Sequence, residues 1–174
     1  TARANGLSAK VFNDKLTQMY INNETTYAMG IAAAARGRKH DSGAWLCDPL
    51  LANVNKVHVA TLPYQTSVLA QDIAGGIAET GCMPSYKDFQ SKKYGHLIKK
   101  YLKAKSSAES RARAARLVEW STIGGGVPGC MHGGGSPDGA KLVIRATAKL
   151  EEKVEIARRL AGITEEIPEP VVKK

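Results

Sequence analysis

"LSAKVFNDKLTQMYINNETTYAMGIAAAAR", residues 7 to 36, decides the fold class. Val11, Leu16, Met19, Tyr20, Tyr27 and Ile31 recur near the spacing of one helix face, so the stretch reads as a single long helix. The run Ala32 to Ala35 has the highest helix propensity in the chain and lets a neighbour pack closely. Gly37 offers a C-cap, and the polar stretch "GRKHDSGAWLC" reads as a loop. Outward from there the pattern stays helical. Asp48 and Pro49 supply the N-cap and first residue of a second helix, which Pro63 should kink or break. A third segment, "YQTSVLAQDIAGGIAETG", carries Val68, Leu69, Ile73 and Ile77 on one face, interrupted by Gly75 and Gly76. Ser85 is a plausible cap after the loop "CMPSYKDF", and "HLIKKYLKAK" is a short basic amphipathic helix. Another helix runs from about Ser107 to Ile123, and a glycine-rich connection from Gly124 to Gly135 ends it. Ser136-Pro137-Asp138 then starts a final helix that reaches Leu160, with Gly162 closing it. No strand-period alternation and no internal repeat is visible. The expectation is an all-α bundle of five or six helices over residues 1–162, followed by a proline-broken tail over 163–174.

The chain has 174 residues, enough for one domain with a core. No apolar run reaches the ~20 residues of a membrane span, and no secretory or transit pattern is visible. Because the chain begins with Thr1, a fragment or processed chain is expected. Cys47, Cys82 and Cys130 form no CxxC pair, which argues against a disulfide framework or a complete local zinc site and fits a reducing cytoplasm. The net charge is +9, and residues 87–116 carry ten Lys and Arg against Asp88 and Glu109. Such a band either solvates a helix face or attracts nucleic acid or a phosphate-rich cofactor.

Two glycine interruptions stand out, because each mid-element glycine weakens a helix by ~1 kcal/mol relative to alanine. "QDIAGG", residues 71–76, and "MHGGGSP", residues 131–137, both bare the backbone beside a helix end. Such a place suits a pyrophosphate or a carbonyl oxygen, and equally suits close helix packing. Neither is a P-loop or a GxGxxG fingerprint. Of the four histidines, His40 and His96 read as surface residues and His58 as a partly buried one. His132, preceded by Cys130 and Met131 and followed by three glycines, is the one candidate for chemistry. Next to a helix N-terminus it is expected to be neutral. No Ser/His/Asp or HExxH order is present.

The blocks "NDKLTQMYINNETTYAMGIAAAA", "DPLLANVNKVHVATLPY", "LAQDIAGGIAETGCMPSYKDF", "MHGGGSPDGAKLVIRA" and "ARRLAGI" follow one another through most of the chain. Together they resemble the C-terminal part of the 4-hydroxybutyryl-CoA dehydratase/vinylacetyl-CoA Δ-isomerase family. The stretch from Lys92 to Arg116 is the least similar. The resemblance implies an acyl-CoA dehydrogenase-like C-terminal helical bundle, cut from a longer polypeptide or working with a companion subunit, in a homotetramer acting on an acyl-CoA substrate. It implies FAD and a [4Fe-4S] cluster as cofactors and dehydration of 4-hydroxybutyryl-CoA to crotonyl-CoA. It implies flavin contact at Gln71, Asp72, Ile73, Ala74, Gly75 and Gly76, and it carries His132, as a polar contact, and Gly133 towards the active centre. Better-known members have an acidic residue three positions before the histidine, where this chain has Gly129, so its acid–base arrangement is expected to differ. The cluster's cysteine and histidine ligands are expected in upstream segments, which leaves Cys47, Cys82 and Cys130 unassigned.

Two other readings compete. A flavin monooxygenase of the 4-hydroxyphenylacetate hydroxylase type shares this fold without the cluster. A basic helical nucleic-acid binder would use residues 87–116, but that band has only Phe89, Tyr94 and Tyr101 to offer for base stacking. No nucleic-acid or membrane partner is therefore expected.

Overall fold

The computed structural model describes residues 1–123 and 135–165. Among them are nine α-helices and a two-stranded ribbon, which makes the chain all-α in class. Helix α1 spans Asn13–Ala35. It starts later than the sequence pattern suggests, because Ser8 caps a 3-10 turn at Ala9–Phe12 and residues 1–6 are stitched elsewhere. The Ala4 carbonyl accepts from Ser106 Oγ at 3.0 Å, and Asn5 Oδ1 accepts from Arg111 Nε at 2.7 Å.

Arg36, not Gly37, caps α1. The polar stretch after it is an antiparallel ribbon rather than a loop, with β1 at Arg38–Lys39 and β2 at Trp45–Leu46 in register Arg38↔Leu46 and Lys39↔Trp45. The turn at His40–Gly43 closes it, and Trp45 Nε1 ties it back to the Ala34 carbonyl at 3.0 Å.

Helix α2, Pro49–Val59, has the expected cap: Asp48 Oδ1 accepts from the Leu51 N–H at 2.9 Å. Pro63 sits in the first turn of α3, Leu62–Ala74, so it separates the two helices instead of kinking one. Two short helices follow, α4 at Gly76–Glu79 and α5 at Tyr86–Phe89. Then come α6 at Gly95–Leu102 and α7 at Ala108–Thr122. Ser136 caps α8, Pro137–Thr147, accepting from the Gly139 N–H at 3.0 Å.

The final helix is not continuous. Ala148 turns extended (ψ 126), and α9, Leu150–Ala161, begins afresh and ends at Gly162. The physical reason lies in the phase of the apolar residues. Ala140 is buried and Ile144 half-buried along the side of α8 that meets α2. An unbroken helix would carry that stripe into Glu151 and Glu155.

Helices α1, α3 and α7 pack in series, with α2 and α8 on one side and α4, α5 and α6 on the other. The main core cluster joins Ala74, Ala78, Met83, Phe89, Leu102, Ala108, Ala112 and Ala115. Five of these eight residues are alanine, so the helices approach closely and little bulk fills the space between them. The apolar stripe of α1 does not lie in this core. Tyr20, Tyr27 and Ile31 are 68%, 64% and 52% exposed, and the buried residues of α1 are Asn22 and Ala33. Asn22 is held by polar contacts: Gln18 Nε2 donates to its Oδ1 at 2.8 Å, and its Nδ2 donates to Thr66 Oγ1 of α3 at 3.2 Å.

Candidate functional site

The segment Gln71–Gly76 closes α3 and opens α4. The Gly75 N–H donates to the Gln71 carbonyl at 2.8 Å, ending α3. Gly75 then takes φ 85 and ψ 173, a conformation essentially reserved for glycine. Its carbonyl accepts from the Ala78 N–H at 3.0 Å, and the Gly76 carbonyl accepts from Thr80 Oγ1 at 2.7 Å. A methyl group built on either Gly75 or Gly76 meets nothing within 4 Å, so the backbone here is bare and faces open space. Of the neighbouring residues, Ala74 is buried, Gln71 and Ile73 are half-buried, and Asp72 is exposed. Asp72 forms an ion pair with Lys15 of α1.

Beside the two glycines lies a recess of about 320 Å³, whose walls include Asn5, Leu7, Met83, Arg111 and Ala115. Arg111 is fixed there by Asn5 and by the Leu102 carbonyl, which its Nη1 reaches at 3.0 Å. The wall is thus a placed guanidinium next to bare backbone, a combination that can receive an anionic, extended group.

A larger groove of about 620 Å³ runs between α5 and α7, lined by Tyr86, Phe89, Arg113, Leu117 and Trp120 among others. The sequence pattern alone does not reveal it, because helical spacing in α7 does not show that Leu117 and Trp120 are exposed. A third recess, about 410 Å³, carries Asn22, Thr26, Thr66, Ser121 and Thr122. The i, i+4 series Gln18, Asn22 and Thr26 was the available signal for that polar patch.

His132 and Gly133 lie outside the described residues, as does Cys130. His40 bonds Ser42 Oγ through Nδ1 at 3.0 Å, His96 is exposed on α6, and His58 is half-buried on α2. The basic band divides. Its seven lysines and Arg113 are exposed, whereas Arg111 and Arg116 turn inward. Arg116 pairs with Glu119 at 2.9 Å and donates to the Met83 carbonyl, pinning the segment before α5. Asp88 is held below its ordinary value by the Ser85 hydroxyl and the Ser85 N–H, with Tyr94 and Arg116 adding to this. That is the signature of a helix cap and not of a catalytic acid. Cys47 and Cys82 are free and exposed, and the described residues contain no group of three His, Cys, Asp or Glu placed to hold a metal ion. No helix among them is long and apolar enough to cross a membrane.

Comparison with known proteins gives this geometry a setting. The chain is 37% identical over 164 residues to the 4-hydroxybutyryl-CoA dehydratase/vinylacetyl-CoA-Delta-isomerase of Clostridium aminobutyricum, covering 86% of this chain and 33% of that protein. It also matches the solved structure of an oxygen-tolerant archaeal 4-hydroxybutyryl-CoA dehydratase from N. maritimus, with a TM-score of 0.86 and 40% identity. That match covers 99% of this chain and 36% of the archaeal one, so the chain spans about a third of the length of either relative. The family model described as 4-hydroxyphenylacetate 3-hydroxylase C terminal (HpaB) matches residues 1–162. The chain therefore belongs to the 4-hydroxyphenylacetate 3-hydroxylase C-terminal family, and within it is similar to the 4-hydroxybutyryl-CoA dehydratases.

Proposed function

We propose that residues 1–162 form the C-terminal helical domain of a 4-hydroxybutyryl-CoA dehydratase that uses FAD and a [4Fe-4S] cluster and also isomerises vinylacetyl-CoA. The observation that carries this reading is the 40% identity, over 99% of the chain and at a TM-score of 0.86, to a protein of that name. Bound flavin and cluster would supply the one-electron chemistry by which water is lost from a carbon remote from the thioester.

This chain's own part is to bind and orient. Gln71 to Gly76 would lie along the flavin nucleotide. The open backbone at Gly75 and Gly76 fits that role, because no side chain keeps a ligand at a distance there. Lys15 offsets the charge of Asp72, which lessens its repulsion of the nucleotide phosphates. Arg111 stands on the adjoining wall as a fixed cation. The described residues hold no group of three His, Cys, Asp or Glu placed to bind a metal, and the cluster's ligands would come from the rest of the polypeptide. His132, with Gly133 after it, would make a polar contact in the active centre. The exposed apolar stripe of α1 and the groove beside Trp120 suit docking against that remainder or against companion subunits in a homotetramer. Free, exposed Cys47 and Cys82 suit a reducing compartment such as the cytoplasm.

The test is product analysis on the intact protein. Anaerobic conversion of 4-hydroxybutyryl-CoA to crotonyl-CoA supports the reading. Oxygen-dependent hydroxylation of a phenolic substrate, with no dehydration, replaces it by the flavin monooxygenase reading, which the name of the family model favours.

A further inference from the structure

The recess of about 410 Å³ where α1, α3 and the last turn of α7 meet differs in chemistry from its neighbours. The recess beside Gly75–Gly76 has Arg111 on its wall, and the groove beside Trp120 has Arg113 and Arg116. The described residues that line this one include no charged side chain, in a chain of net charge +9. Hydroxyl and amide groups make up its polar lining, and hydrocarbon makes up the rest, as at Met19, Leu62 and Ala70.

The protons of the polar lining are unevenly committed. Thr26 Oγ1 donates to the Asn22 carbonyl at 3.0 Å, Ser121 Oγ to the Leu117 carbonyl at 2.7 Å, and Thr122 Oγ1 to the Val118 carbonyl at 2.7 Å. Because these protons are held inside their own helices, the three oxygens can only accept from a ligand. The α3 side is the reverse. Thr66 Oγ1 accepts from Asn22 Nδ2 at 3.2 Å and keeps its own proton, and the Ser67 hydroxyl has no hydrogen-bond partner among the described residues. That side can donate. Asn22, only 3% exposed, ties α1 to α3 through Thr66 and so fixes the spacing between the accepting and donating sides.

A ligand that satisfies both sides is neutral, since an ion would find no counter-charge here. It carries N–H donors and carbonyl acceptors close together, as secondary amides do, and methylene spacers that suit Met19, Leu62 and Ala70. The volume lies within the ~300–1,000 Å³ of small-molecule sites. Coenzyme A has one part of this kind. Its nucleotide end is highly charged, whereas its pantetheine arm is an uncharged chain of secondary amides, a hydroxyl and methylenes.

We infer that this recess holds the pantetheine arm of an acyl-CoA substrate. Thr66 and Ser67 donate to its carbonyls, and Thr26, Ser121 and Thr122 accept from its N–H groups. The inference rests on the acyl-CoA reading of the proposed function and adds the place where the neutral part of that substrate lies.

Two variants of the intact protein test it, with circular dichroism and the thermal midpoint reporting the fold. Ser67→Leu fills the recess from a side chain that the described fold does not hydrogen-bond, and Ser67→Ala removes only the hydroxyl. Pantetheine alone is followed by ligand-observed NMR. It should bind wild type and bind Ser67→Leu at least ~10-fold more weakly, whereas adenosine bisphosphate, which lacks the arm, should not distinguish the two. In turnover, the KM for 4-hydroxybutyryl-CoA should rise ~3-fold in Ser67→Ala and ~10-fold or more in Ser67→Leu. The preference for the CoA thioester over the N-acetylcysteamine thioester, which has little of the arm, should shrink by the same factors. Wild type that binds no pantetheine, or Ser67→Leu with unaltered binding and KM, overturns the assignment. So does a Ser67→Leu protein with a lowered midpoint and an unaltered thioester preference, the mark of a recess filled by polypeptide. An intact protein that binds pantetheine in a Ser67-dependent way yet dehydrates no acyl-CoA removes the proposed activity and leaves the pantetheine site standing.

Discussion

Gly76→Val separates flavin contact from folding. Gly76 is the exposed first residue of α4, without a positive φ, and a Cβ there meets nothing within 4 Å. Helix propensity changes little between glycine and valine at such an end position, so folding stability should move by no more than ~0.5 kcal/mol. With a flavin nucleotide against the backbone, the branched side chain would occupy the ligand's own position. A displacement of even one ångström forfeits contacts worth about 1.4 kcal/mol or more, a tenfold loss of affinity. The assay is flavin released per polypeptide from the intact protein, measured beside its thermal midpoint. A sharp fall in flavin with an unchanged midpoint is expected. Full flavin occupancy in Gly76→Val refutes the assignment of Gln71–Gly76. Gly75→Ala is the wrong probe, because φ 85 makes any side chain there strained, by about 1–3 kcal/mol, before a ligand is considered.

Gly95→Ala should destabilise the chain by about 1–3 kcal/mol, since its Cβ would stand 2.6 Å from the Phe89 carbonyl oxygen, a backbone atom with nowhere to go; thermal melting checks it, and an unchanged midpoint counts against the packing described. Because the folded-state pKa of Asp88 is depressed, its contribution is present above the unfolded value and lost as pH falls through the lower folded one. The difference in melting temperature between wild type and Asp88→Asn should therefore be constant above about pH 5 and shrink below 3.8, and a difference that ignores pH removes the cap from the account. On the proposed function, His132→Gln in the intact protein should lower turnover ~10-fold or more with its flavin and iron content unchanged, and wild-type turnover would remove the residue from the active centre. Reversing Lys99 and Lys100, both exposed, should leave the Michaelis constant for the CoA substrate unchanged at low salt; a marked rise would give this band a part in substrate capture.

The side-chain-capped helix starts were legible because they rest on local chemistry. Asp48, Ser85, Ser107 and Ser136 each accept the hydrogen bond that their position implies, and Gly75 breaks α3 where the paired glycines stood. Facing was not legible. Helical spacing shows that the apolar residues of α1 share a side, but not whether that side meets this chain's core or another surface, and Tyr20 and Tyr27 turn outward. The break at Ala148 was hidden for a related reason, as propensity is good on both sides of it and only packing against α2 sets the phase of α8. The turn at Gly75–Gly76, to which flavin contact is assigned only as a proposal, was legible as an anomaly, two glycines where a helix gains from none. The recess beside it was not, because Asn5 and Arg111 meet there from distant parts of the chain.

The alanine-rich interior turns the usual pattern of mutational sensitivity around. In most cores the damaging changes shave large side chains, but Ala78, Ala108, Ala112 and Ala115 have only a methyl group to lose. What they lack is room. Ala112→Leu or Ala78→Val would push apart helices held at near-contact distance and shift α7 against α3 and α4 together. Exhaustive substitution of this chain would therefore show its deepest losses where bulk is added inside. Positions such as Tyr20 or Trp120 would be silent in the isolated chain and would show their cost only once the surfaces they serve are in place.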